Sequence, residues 1–470
     1  MYEPDLWWHL AQGREAAAGH LVRTNLFSFI HPDYPQPYTS WLFDLGSYVL
    51  WTRAGPAGLQ AVQALLIAAT LGAIALACRI RSSAAAAIAV CVFGWMILEP
   101  RALPRPHVLS FLGLAVCVWL VERAREARSS KPLRWLPAVV AVWSNVHLEC
   151  VFGIALVGIF GACELVRPRD LTRQEAAKTI GIVAIALLAT TCNPYGFGLL
   201  RYTYENSFVP QVLDIAELRP PYLPNYRAFF AWAILSALLI AISRFGSRRL
   251  DGDGPGRRSL GEGGFELAAI AVFAALGFRY LRLTPLLFLV SAPLVARCID
   301  DLRRFRIDPR VVAVAAVVSS SFIAREPLPS LVRGLQFGGD ALTPPAVFSE
   351  PAMRFAREHG LGGPVFTSMN LGGFVEWELY PAARVFLDSR LQASPASHFR
   401  SVIAASRDRD PRAWAAVTAG MDWGVLSTPR VNDLSGVGKF REPEWGTAYQ
   451  DGVIQIVVRR SGRYGRLADR

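Results

Sequence analysis

The stretch Glu3-Pro4-Asp5-Leu6-Trp7-Trp8-His9-Leu10, with Trp41-Leu42-Phe43-Asp44 further on, gathers carboxylates, a histidine and tryptophans ahead of any hydrophobic helix. A carboxylate takes a hydroxyl proton or holds a metal ion, and an indole face packs on the C–H surface of a sugar. Pro4 fixes its own φ and pushes Glu3 toward an extended conformation. In an extended segment, side chains at i and i+2 point to the same side, so Glu3 and Asp5 are expected to face one cavity. Like charges that close repel and raise one pKa unless a cation lies between them. The pair therefore suits a general base or a clamp for a divalent ion such as Mg or Mn. The competing reading is solvated surface charge, or acids placed at a helix N-terminus. Trp7, Trp8 and His9 would line the cavity of a polar, sugar-like substrate.

The elements that must position these groups are mostly apolar. Of 470 residues, 53% are hydrophobic and only 18% charged, with a mean hydropathy of +0.30. A soluble chain of this length carries about a quarter charged residues. Apolar runs recur between arginine-rich breaks, which is the pattern of an α-helical polytopic membrane protein. The net charge of +12 does not imply nucleic acid as a partner, because many arginines sit in short loops between apolar runs. No cleavable signal peptide is visible. The seven cysteines lie in or beside apolar runs without a C-x-x-C pair, so no disulfide framework is implied.

Residues 1–55 read as a first outer loop with two helices, Trp7–Ala18 and Ser40–Trp51. The second is amphipathic and interfacial, with Trp41, Tyr48 and Trp51 at headgroup depth. Residues 56–323 read as a transmembrane domain of about ten helices. Their apolar runs lie near 57–78, 83–98, 106–121, 135–146, 150–166, 176–191, 226–243, 265–278, 283–297 and 310–323. The connecting segments alternate in charge. Those at 79–82, 122–134, 167–175, 244–264 and 298–310 hold 19 Lys and Arg, against 6 in the segments at 99–105, 147–149, 192–225 and 279–282. The first set is expected to be cytoplasmic, which puts both termini outside. Residues 324–470 read as a small extracytoplasmic α/β domain. Its helices are expected at 349–359, 373–379, 397–407 and 411–419, and its strands at 364–368, 383–388, 423–427 and 452–459.

The outer segments carry further candidates. Arg279 and Arg282, flanking Tyr280, suit a phosphate, since guanidinium forks match phosphate oxygens; the competing reading is snorkelling to lipid headgroups. Arg105, His107, Asn145 and His147 lie in two other outer segments. The histidines suit a base or metal-ligand role, or a plain hydrogen bond at a helix end. Asp388-Ser389-Arg390 at a strand end suits substrate contact or a structural ion pair.

The Glu3–Leu10 opening with Gly13-Arg14 resembles the D-P-D-L-W-W-H-L-x-x-G opening of an uncharacterised group of bacterial multispanning membrane proteins. Further pieces match in order: Trp41-Leu42-Phe43-Asp44, Arg105-Pro106-His107 with Ser110-Phe111, Trp143-Ser144-Asn145-Val146-His147, Asn193-Pro194-Tyr195-Gly196, Gly372-Gly373-Phe374 with Trp377, Tyr380-Pro381, and Arg384 to Arg390. That group is similar to the GT-C superfamily of glycosyltransferases, whose acidic motif follows the first transmembrane helix. Here the motif starts at residue 3 with no such helix before it. Its first acid is Glu3 rather than Asp, and Leu148-Glu149-Cys150 stands where relatives have small residues, which narrows the cavity.

The resemblance implies an inverting transferase in a bacterial inner membrane, acting at the outer face. The donor is a polyprenyl-phosphate sugar whose lipid lies between helices; the acceptor is a glycan, lipid or protein. Asp5, with Glu3, acts as base or metal ligand, and Arg279 and Arg282 neutralise the leaving phosphate. The alternative is a non-catalytic transporter or polysaccharide-assembly scaffold; no internal repeat supports transport.

Overall fold

The computed structural model describes residues 3–36, 39–199, 201, 216–223, 226–250, 264–305, 307–314, 316, 348–390, 393–395, 397–398, 415–416, 418–428, 440 and 443–469. The chain divides into two compact units. One comprises Met1–Gln60, Arg201–Val212 and Arg333–Arg470; the other comprises Ala61–Leu200 and Leu213–Val332.

The second unit is helical. Each apolar run from 57–78 to 283–297 coincides with a helix: α2 (Trp41–Arg79), α3 (Ala84–Leu98), α4 (His107–Ala127), α5 (Leu136–Trp143), α6 (Cys150–Val166), α7 (Arg173–Ala189), α8 (Arg227–Leu250), α9 (Gly264–Arg279) and α10 (Thr284–Asp301). Two of these helices, α3 and α7, start after a residue whose side chain satisfies a free backbone N–H group. Ser83 accepts from the Ala86 amide at 3.2 Å and Thr172 from the Glu175 amide at 3.2 Å. Among the described residues, four helical segments are long and apolar enough to cross a membrane: Trp41–Arg79, Ala84–Arg101, His107–Ala127 and Leu281–Asp301. The expected run at 310–323 and the loop at 244–264 fall largely outside the described residues.

The arginine-rich loops of this unit are tied down by acids. Arg125 is buried and reaches Glu122 and Asp170 at 2.7 Å and Glu266 at 2.5 Å; Arg297 reaches Glu266 at 2.6 Å. Charges this buried persist only when paired, so these contacts fix α4, α9, α10 and the α6–α7 loop to one another.

The first unit is an α/β layer to which both ends of the chain contribute. Its sheet, in order β2-β1-β3-β5-β4, is mixed. β1 (Gly363–Thr367) runs parallel to β2 (Ala383–Val385) and β3 (Trp423–Ser427), while β5 (Ile454–Arg459) is antiparallel to β3 and β4 (Trp445–Gln450). β4 is a strand the sequence reading did not include. The helices expected at 397–407 and 411–419 fall largely outside the described residues. Helices α11 (Glu350–Glu358) and α12 (Met369–Leu379) lie near their expected places.

The core under this sheet includes N-terminal side chains. Leu6, Trp7, Leu10 and Leu59 cluster with Phe348, Met353, Val365, Leu371, Phe374 and Trp423. α1 (Asp5–Ala17) packs on α12. The helix expected at Ser40–Trp51 begins at Trp41 and breaks at Gly55 (φ 61°, ψ −164°), before Pro56, where a second helical stretch begins and runs to Arg79. Its aromatics meet protein rather than only headgroups: Trp51 lies 5.6 Å from Trp7, and Tyr48 lies 6.2 Å from Trp377, centroid to centroid.

Candidate functional site

In the first unit, the acidic opening starts a helix. Pro4 has helical dihedrals (φ −67°, ψ −27°), and Asp5 is the first residue of α1. The extended geometry expected to turn Glu3 and Asp5 to one side is therefore not what carries them. Glu3 is buried, and its Oε1 accepts from the Asp5 amide at 3.0 Å, a backbone cap of the kind a helix N-terminus rewards. Asp5 is half-buried, and its Oδ1 accepts from the Ser389 hydroxyl at 2.5 Å. The two acids thus have different tasks. Trp7 and Trp8 are buried, and the indole Nε1 of each meets no hydrogen-bond acceptor among the described residues.

Behind Asp5 lies a buried polar network built from three stretches of sequence. His9 Nδ1 is 2.6 Å from Asp44 Oδ1, which also accepts from Ser40 Oγ at 3.2 Å. With its amide turned so that donors meet acceptors, Gln12 donates to Asp44 Oδ2 at 3.2 Å and its oxygen accepts from Gln36 Nε2 and Arg390 Nη1 at 3.0 Å each. Arg390 is 1% exposed and donates to Asp388 (2.6 Å from Nη2) and Glu376 (2.8 Å). Burial pushes the Glu376 carboxyl well above its ordinary range; Arg390 opposes this and Asp388 adds to it. Close approach requires Gly13 here, because a Cβ at that position would fall 2.1 Å from the Asp44 carbonyl oxygen.

In the second unit, several of the motif residues touch one another. Trp143 Nε1 donates to Ser110 Oγ at 2.9 Å, and Ser110 Oγ lies 2.8 Å from His147 Nδ1. A Cβ at Gly113 would fall 2.6 Å from the Trp143 ring, so glycine there seats the indole. Asn145 Nδ2 donates to the carbonyls of Ala141 and Cys192 at 2.7 Å each, tying the end of α5 to the end of α7. His107 Nε2 lies 2.7 Å from the Arg101 carbonyl, to which it donates.

Three of the candidate cations of this unit, Arg101, Arg105 and Arg282, already have acids. Glu149 Oε1 accepts from Arg282 Nη2 at 3.1 Å, and its Oε2 is 3.4 Å from His147 Nδ1. Burial raises the Glu149 carboxyl, but His147 and Arg282 outweigh it and hold it well below its ordinary range. Arg101 and Arg105 share Glu217 at 3.0 and 2.9 Å. Burial raises Glu217, and these two arginines bring it down to about 2. The Arg279 guanidinium lies 4.9 Å from the centroid of the Tyr280 ring and is exposed.

The fold is similar to that of an archaeal oligosaccharyltransferase. The chain aligns with AglB from Archaeoglobus fulgidus, in complex with an inhibitory peptide and a dolichol-phosphate, at a TM-score of 0.60 and 12% identity. It aligns with an apo oligosaccharyltransferase structure from the same organism at a TM-score of 0.54 and 12% identity. Each alignment covers 90% of this chain and 65% of the other, so the chain spans just under two thirds of those proteins. No family model matches the chain, and no curated protein matches it. The AglB likeness is one of fold. Beyond the fold, four helical segments among the described residues are long and apolar enough to cross a membrane.

Within that architecture, the residues singled out from sequence fall into two sets. Glu3, Asp5, Trp7, Trp8 and His9 belong to the first unit. Arg105, His107, Asn145, His147, Arg279, Tyr280 and Arg282 belong to the second. Asp44, Gln12, Gln36 and Glu376 were missed as site residues. Asp44 stood in a quoted motif, and Glu376 is an acid inside the apolar run of α12, which is the available signal for it. Among the described residues, no three His, Cys, Asp or Glu side chains converge as a metal site. Glu3 Oε1 is spent on the Asp5 amide and Asp5 Oδ1 on the Ser389 hydroxyl.

Proposed function

We propose that this chain is a membrane glycosyltransferase of the GT-C type that uses a polyprenyl-phosphate sugar at the outer face of the membrane. The observation that carries the reading is the AglB-like fold over 90% of the chain. That relative was solved with a dolichol-phosphate, a lipid of the proposed donor class. About ten helices cross a bacterial inner membrane in this reading, with both termini outside the cytoplasm.

Asp5 is the base. The acceptor hydroxyl attacks the anomeric carbon and gives its proton to Asp5, while the bond from that carbon to the phosphate oxygen breaks and polyprenyl phosphate leaves. Attack opposite the leaving group inverts the anomeric centre. Arg282 and Arg279 receive the phosphate, Arg282 by exchanging Glu149 for it. This reading assigns Arg105, His107, Asn145, His147 and Tyr280 to donor binding, and Trp7 and Trp8 to acceptor binding. The acceptor is a glycan, lipid or protein.

A second reading, a non-catalytic scaffold, is favoured by one observation: Arg101, Arg105 and Arg282 are already neutralised by Glu217 and Glu149. Purified full chain in lipid nanodiscs, offered a panel of radiolabelled polyprenyl-phosphate sugars with membrane extract as acceptor, separates the two. Release of polyprenyl phosphate coupled to label in a product supports the enzyme. Binding of labelled glycan without turnover supports the scaffold.

A further inference from the structure

Helix α12 carries two neighbouring faces. Gly372 and Glu376 lie four residues apart on one, and Gly373 and Trp377 lie four apart on the next. The second face receives α1. A Cβ at Gly373 would fall 3.0 Å from the Trp8 amide nitrogen and 3.3 Å from the Pro4 carbonyl oxygen. The first turn of α1, which holds Asp5, therefore lies closer to α12 than a side chain would comfortably allow. Toward the other end of α1, Arg14 donates to the Trp377 carbonyl at 2.9 Å and lies 5.1 Å from the centroid of the Trp377 ring.

The first face receives the turn that follows β2. A Cβ at Gly372 would fall 2.2 Å from the Leu387 carbonyl oxygen and 2.7 Å from the Asp388 Cα. Asp388 Oδ1 accepts from the Arg390 amide at 2.6 Å, which closes the turn around Ser389. The Arg390 guanidinium donates to Asp388 Oδ2 at 2.6 Å and to Glu376 Oε1 at 2.8 Å, and all three side chains are buried. Buried charges persist in such pairs, so the turn is bound to α12 by an ionic contact as well as by close backbone approach. Asp5 and Ser389 then meet at 2.5 Å, each carried by a segment that α12 holds. A displacement of roughly 1 Å breaks a hydrogen bond of this kind.

We propose that α12 is the template for the contact between Ser389 and Asp5: Gly372, Gly373 and Glu376 are positioning residues that bring the two together and so hold the base in line with the acceptor hydroxyl. Gly373 acts through α1, and Gly372 and Glu376 act through the turn at Ser389. Misplacing a catalytic group by about 1 Å costs on the order of a hundredfold in rate, which is the scale of effect available to such residues. This inference rests on the glycosyltransferase reading above.

The test uses full-length protein in nanodiscs. In the first arm, Asp5→Cys and Ser389→Cys are combined and treated with dibromobimane, which fluoresces once it has bridged two thiols. The paired protein should fluoresce well above either single variant. Adding Gly373→Ala should lower the bridged fraction at least fivefold. Adding Ile456→Ala, which weakens the same core from β5, should leave it within twofold. Equal loss in both, or loss in neither, overturns the proposal. If Gly373→Ala does not fold, Glu376→Leu supplies the loss from the other face, with Glu376→Gln, which keeps an acceptor for Arg390, restoring the bridge. In turnover, Gly373→Ala should lower kcat at least tenfold with the donor KM within twofold, and should cost less than twofold where Ser389 is already Ala. A general loss of stability would cost the same factor in both backgrounds, and that result also overturns the proposal. Full kcat in Gly373→Ala defeats the template and leaves the transferase reading standing. A wild type silent with every donor defeats that reading, and the proposal with it.

Discussion

Ser389 places its hydroxyl 2.5 Å from Oδ1 of Asp5, across 384 positions of sequence. The C-terminal residues thereby hold the acid that opens the chain. A hydrogen bond to a charged group contributes about 1.5–3 kcal/mol when it is made. Ser389→Ala should therefore cost about 1.5–3 kcal/mol of stability, read as a lower melting temperature, and should lower kcat by loosening Asp5. Steady-state kinetics and a thermal scan on the same sample check both halves.

The core of the α/β unit depends on Trp7. Its ring meets Trp51, Phe348 and Phe374 at centroid separations of 5.6, 5.3 and 4.9 Å. Trp7→Ala should destabilise this unit by about 3–5 kcal/mol. Hydrogen exchange should then rise in β1 and α12 while α4 and α10 keep their protection.

Arg390 is the counter-charge of Asp388 and Glu376. Arg390→Ala leaves a buried carboxylate unpaired and should cost about 3–5 kcal/mol. The pH dependence follows from Glu376, whose carboxyl burial raises. A folded pKa above the unfolded value adds stability that is fully present below the unfolded pKa and is lost as pH rises through the folded one. Glu376→Gln stays neutral and keeps an acceptor for Arg390. Its stability should fall less than that of the wild type as pH is raised; parallel curves would contradict the assignment.

In the proposed mechanism the donor phosphate displaces Glu149 from Arg282, to which it is paired at 3.1 Å. Removing the acid should free the guanidinium, so Glu149→Gln should lower the donor KM several-fold, and Arg282→Ala should raise it at least tenfold. Titration of polyprenyl phosphate into each variant gives the same ordering without turnover.

The sequence made the helices legible because each apolar run is long enough to declare itself, from Leu59 through Val295. The strands of Val365, Val425 and Val457 were legible by their β-branched residues. β4 was not, because Gly446, Thr447 and Ala448 give it little apolar alternation. The site was legible in its residue types and not in its contacts. His9 and Asp44 both stood in quoted motifs, yet nothing local places a ring 2.6 Å from a carboxylate 35 residues away. The extended geometry assumed for Glu3 and Asp5 gave way to a helix start, since proline suits the first turn of a helix as well as an extended segment.

The membrane topology has its own check. A cysteine introduced at 430–440 should react with an impermeant reagent in intact cells, and one introduced at 251–256 should not. The reverse pattern would put the acidic opening on the cytoplasmic side.

In the proposed reaction Asp5 takes the acceptor proton in transfer from a polyprenyl-phosphate sugar. The direct measurement is turnover of the radiolabelled donor by purified full-length protein, wild type against Asp5→Asn, with folding monitored in parallel. The expected result is transfer by the wild type and a loss of at least a hundredfold in Asp5→Asn, the fold intact and Glu3→Gln less affected. Turnover by Asp5→Asn at the wild-type rate would contradict it.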